Sequence, residues 1–128
     1  KMYTRGIVGV IEEDNPYVNI KTKNNIVTHA EFSKFGENSE KGLHDQSIFV
    51  FDTKELYIAL QNLHDASFRN GKYNFVGGEL SLLYTFHYFY NVEKGFNGIR
   101  PIKLSEKTMS YNTPEELEAI RIYFSEKE

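Results

Sequence analysis

Residues 80–90 read Leu-Ser-Leu-Leu-Tyr-Thr-Phe-His-Tyr-Phe-Tyr. The even positions Leu80, Leu82, Tyr84, Phe86, Tyr88 and Tyr90 are all apolar or aromatic, while the odd ones include Ser81, Thr85 and His87. A period of two puts alternate side chains on opposite faces of a strand. The segment is therefore expected to be a long strand whose even-numbered side chains face the helices. Leu83 and Phe89 predict that its other face is partly covered too.

Upstream, Asn70-Gly71 and Gly77-Gly78 punctuate a turn-rich stretch with room for a short strand around Tyr73 and Phe75. Before it, Asp52-Thr53-Lys54-Glu55 opens a helix, with Asp52 placed to cap and Glu55 three residues on. Leu56, Ala59, Leu60, Leu63 and Ala66 keep helical spacing, which predicts a helix over 53–67. Further upstream, 2–12, 17–22 and 26–35 are rich in β formers and separated by Glu13-Asp14-Asn15-Pro16 and Lys23-Asn24-Asn25. A three-strand meander is the simplest reading, followed by a polar loop at 36–42 and a short strand at 48–51.

Downstream, 93–98 has hairpin length, so 99–104 is expected to pair back antiparallel, with Pro101 at an edge or bulge because it lacks an amide donor. Thr113-Pro114-Glu115-Glu116 starts a second helix, over 114–126, with Leu117, Ile120 and Phe124 turned toward the sheet. The expectation is one α+β domain over 1–128: a mostly antiparallel sheet of about six to seven strands in the order ββββαβββα, two helices packed on it.

Composition narrows function by exclusion. With 18 Asp+Glu against 15 Lys+Arg the net charge is −3, which argues against general nucleic-acid binding because phosphate neutralisation needs a clustered basic face. The absence of cysteine removes disulfides, thiolate nucleophiles and zinc-thiolate sites. No apolar run approaches the ~20 residues of a membrane-spanning helix, so a cytoplasmic chain is expected, with a removed signal peptide left open. Abundant Asn, Ile, Lys, Phe and Tyr match AT-rich coding and point to a bacterium or phage.

The four histidines include two His-Asp pairs, His44-Asp45 and His64-Asp65. Neither has the further ligands at fixed intervals that a metal site needs, so no metal and no cofactor are expected. Gly77-Gly78 precedes an expected strand rather than a helix, which disfavours a phosphate loop. In element order the chain loosely resembles bacterial toxin-immunity proteins and small phage inhibitors of host defence, without a motif that carries the likeness.

The expected function is that of a small non-enzymatic inhibitor that blocks a partner protein, such as a toxin or host-defence factor, stoichiometrically. Its interface would be an acidic face of Glu12, Glu13, Asp14, Glu37 and Glu40. The alternatives are a small-molecule or nucleotide binder or enzyme with an aromatic pocket at Tyr73, His87 and Tyr88, and a self-associating structural subunit of a phage or surface assembly.

Overall fold

A computed structural model describes residues 4–32, 40–75, 78, 80–90, 98–106 and 108–127. Among the described residues the fold is α+β, with seven strands in mostly antiparallel sheets and three helices. In chain order the elements are β1 (Gly6–Asp14), β2 (Val18–Lys23), β3 (Ile26–Phe32), β4 (Lys41–Phe51), α1 (Thr53–Ser67), β5 (Phe68–Arg69) and β6 (Lys72–Tyr73). A 3₁₀ turn (Leu82–Thr85) then runs into α2 (Phe86–Phe89), followed by β7 (Ile99–Lys103) and α3 (Pro114–Ser125).

The helix starts follow their local chemistry. Asp52 Oδ1 accepts from Glu55 N at 2.9 Å to cap α1, and Arg5 Nη1 reaches Glu55 Oε2 at 2.6 Å, which ties that first turn to the start of β1. Ahead of α3, Thr113 and Glu116 form a reciprocal capping box.

Strand pairing departs from the expected meander. β1 sits at the centre of a three-stranded sheet of order β4-β1-β7, antiparallel to β4 and parallel to β7, while β2 and β3 form a separate hairpin. The strand expected to pair back antiparallel over 99–104 instead lies parallel to β1, with Pro101 on an edge strand where its missing N–H costs no ladder bond. β2 lies against β4 and β3 against β7, so the two sheets enclose one core of Val8, Val10, Val18, Ile20, Val27 and Ile99. Two glycines permit that approach. A Cβ on Gly42 would fall 2.5 Å from Asn19 Oδ1, and one on Gly98 would collide with Ile26.

The expected strand over 80–90 is instead helical from Leu82 to Phe89. Ser81 Oγ accepts from Leu83 N at 3.3 Å, and Thr85 Oγ1 donates to Leu82 O at 2.6 Å, both local bonds that favour a turn over a ladder. Leu83, Phe86 and Phe89 recur every third residue, so one side of the helical turn delivers Phe86 and Phe89 to the core, against Phe51 and Phe49. A run in which nearly every position is apolar satisfies both periods. Burial of that i, i+3 set decides between them.

α3 also differs from expectation: it buries none of its side chains. Its apolar residues do not share one stripe, since Ile122 lies well round the helix from Leu117, and Leu117, Ile122 and Phe124 all face solvent. A helix held this way depends on its own cap. Thr113→Ala is expected to cost α3 about 1 kcal/mol, seen as faster amide exchange confined to 114–125 with the global unfolding midpoint almost unmoved.

Candidate functional site

The β1–β4 ladder brings the acidic residues to one corner. Asp14 pairs with Lys41, Glu13 with Gly42 and Glu12 with Leu43, and Asn15 N donates to Glu40 O at 3.0 Å. Glu12, Asp14 and Glu40 are exposed there. Strand alternation divides the set, however. Glu12 turns into a shallow hollow beside Lys103 and Thr22, whereas Glu13 turns to the opposite face, where its Oε2 stands 2.8 Å from His44 Nδ1. That contact has the distance of an ion pair without the direction of a hydrogen bond. Glu37 lies outside the described residues.

From this corner an aromatic strip runs across the β2–β3 hairpin. Asn15, in the left-handed region at φ 50°, turns the chain, and Tyr17 emerges 49 % exposed. Its ring meets Phe32 edge-on at 6.3 Å, Phe32 lies 4.8 Å from Tyr84, and Tyr84 stacks on Phe75 at 4.0 Å. The aromatic run of 80–90 is thus divided between core and surface. Phe86 and Phe89 are buried, and Tyr84 joins the open strip.

The three residues expected to share a pocket line two hollows that meet at Phe75. His87 and Tyr88 line a hollow of about 120 Å³ with His29, Leu63, Phe75 and Tyr84, and His87 is itself exposed with Nδ1 3.1 Å from Tyr84 O. Small-molecule sites usually enclose about 300–1,000 Å³. Tyr73 lines a different hollow, with Arg69, Lys72 and Phe75, and its hydroxyl lies 3.0 Å from His64 Nδ1.

A further hollow, of about 530 Å³, sits where β4 bulges. Val8 pairs with Phe49 and Val10 with Asp45, which leaves Gln46, Ser47 and Ile48 opposite the single Gly9. Asp45 Oδ2 accepts from Ser47 N at 3.2 Å and holds Ser47 at φ 56°. Gln46 is buried and fully engaged: Oε1 accepts from Thr108 N at 2.8 Å and Thr108 Oγ1 at 3.1 Å, while Nε2 donates to Asp45 O at 3.1 Å. His44, Asp45 and Ser47 face Thr108, Met109, Ser110 and Tyr123 across the opening. Sequence reasoning singles out only His44-Asp45 of this set. Their partners at 108–110 and 123 come from a distant segment that no local spacing announces.

Among the described residues no group of three or more His, Asp or Glu is placed to hold a metal ion. No helix among them is long and apolar enough to cross a membrane. No family model, curated protein or solved structure matches this chain.

Proposed function

We propose that the chain is a non-catalytic binding domain that occupies a basic surface of a partner protein, as an inhibitor of the immunity or anti-defence type would. One observation carries the reading: Glu12, Asp14 and Glu40 are exposed at one end of the β1–β4 ladder, and Tyr17, three residues on from Asp14, begins a part-exposed strip that runs through Phe32 and Tyr84 to Phe75. Aromatic anchors supply contact area with little rotamer entropy to lose, and charges at the rim steer encounter. Exposed side chains at the end of the β1–β4 ladder can carry such an interface without disturbing the sheet that presents them.

The test is to isolate the protein that co-purifies stoichiometrically from the source cells and to follow association at low and high salt. Glu12→Lys and Asp14→Lys are expected to slow association roughly tenfold at low salt and to flatten its salt dependence. Their thermal stability should stay near that of the wild type, because exposed charges contribute little to folding. Tyr17→Ala should instead speed dissociation, by more than ~1 kcal/mol of binding. Capture of no stoichiometric protein, or rates indifferent to all three changes, would sink the proposal.

A further inference from the structure

The β4 side of the hollow at the bulge is held in place by the chain's own hydrogen bonds. Its wall is fixed by the Gln46–Thr108 hydrogen bonds, and one lining residue, Ser47, is kept at positive φ. A non-glycine residue in that region is held there by its surroundings, and bulges re-aim side chains beside sites. Its volume, about 530 Å³, falls within the ordinary range for small-ligand sites.

The lining sets the charge of what fits. Asp45 is the one carboxylate among the lining residues, and His44 beside it stands against Glu13, which lies outside the lining. No Lys or Arg lines it among the described residues. Hydroxyls of Ser47, Ser110 and Tyr123 add acceptors around the carboxylate, and Met109 adds a polarizable apolar wall. One face of the Tyr123 ring already carries a cation, since Lys127 places Nζ 4.5 Å from its centroid while pairing with Glu106 at 3.2 Å, so a ligand would have to take the other face or displace Lys127.

We infer that this hollow binds an organic cation through a guanidinium or ammonium group, with Asp45 as the charged partner and Tyr123 as the aromatic one. A guanidinium is the better match, because its planar fork can engage a carboxylate and neighbouring hydroxyls together and lie against a ring. The group can arrive on a free amine or on an arginine side chain of another protein, and the chemistry recognised is the same. Anions are rejected by the Asp45 carboxylate. The inference stands apart from the partner-binding proposal, since none of Glu12, Asp14 and Glu40 lines this hollow.

The experiment is an amide NMR titration of the full chain, reading Ser47, Thr108 and Ser110. The probes are agmatine, Nα-acetyl-arginine amide, its neutral isostere Nα-acetyl-citrulline amide, and glucose. Saturable shifts are expected with both guanidinium probes, at least tenfold weaker with citrulline, and absent with glucose. Tighter binding of agmatine identifies a free amine as the source, and tighter binding of the arginine amide a side chain. Asp45→Asn should weaken the guanidinium probes at least tenfold while retaining an oxygen for Ser47 N. Tyr123→Leu, remote from the core, should weaken them several-fold should Asp45→Asn disturb the bulge. Glu12→Lys should change neither. Equal affinity for citrulline, preference for glucose, or no saturable shift in the tens of millimolar overturns the inference, and so does unchanged affinity in a folded Asp45→Asn or Tyr123→Leu chain.

Discussion

Replacing Phe86 with alanine is expected to lower the free energy of unfolding by about 3–5 kcal/mol, the range for truncating a fully buried aromatic ring. Phe86 is 0 % exposed, and its ring centroid lies 6.1 Å from Phe49 and 6.4 Å from Phe51. The side chain fills the space between the helical turn and β4, and the rings around it belong to a rigid sheet that can collapse only in part. Urea denaturation of Phe86→Ala and Tyr84→Ala reads the difference. Tyr84 is only partly buried on the open aromatic strip, so its truncation should cost much less. Similar losses for the two would mean that the division of this segment between core and surface is wrong.

Gly42→Ala should be the costliest single-methyl addition on β4, at about 1–3 kcal/mol. The new Cβ would fall 2.5 Å from Asn19 Oδ1 and 2.6 Å from its Cγ. Asn19 is a buried polar residue, and that same oxygen accepts from Leu43 N at 3.2 Å, a bond joining β2 to β4. Displacing the amide breaks the bridge and leaves buried polar groups unpaired. Gly71→Ala supplies the contrast: a Cβ there meets nothing within 4 Å, and the only penalty is backbone strain at φ 78°. Equilibrium unfolding of both variants checks the pair. A Gly42→Ala protein as stable as the wild type would show that β2 and β4 are not in register at this point.

Elements whose signals are local were legible in the sequence. The cap at Asp52 and the capping box at Thr113 locate α1 and α3 because each start depends on residues three or four apart. Elements defined by distant partners were not. The apolar run Ile48-Phe49-Val50-Phe51 marks only the end of β4, which begins at Lys41. Its middle, His44-Asp45-Gln46-Ser47, has weak strand propensity and is sustained by β1 on one side and Thr108 on the other. The 80–90 segment misleads for a different reason. Its aromatics match a period of two as readily as a period of three, and only packing against β3, β4 and α1 selects the helical turn. The acidic corner was legible as composition, but strand alternation, which turns Glu13 away from Glu12 and toward His44, depends on a register fixed by β4.

The parallel pairing of β1 with β7 bears on the order in which the molecule assembles in time. β1 precedes the other described strands in the chain and is the central one in its sheet, yet Gly6 waits for Phe51 on one side and Ile99 on the other. Closing so long a stretch of chain must precede the contacts that reward it, which places folding among the slower, millisecond-to-second topologies. Until β7 arrives, Val8 and Val10 have no complete core to enter. A nascent chain would therefore carry this core strand with one edge open, exposed to a second nascent copy or to a chaperone that shields strand edges.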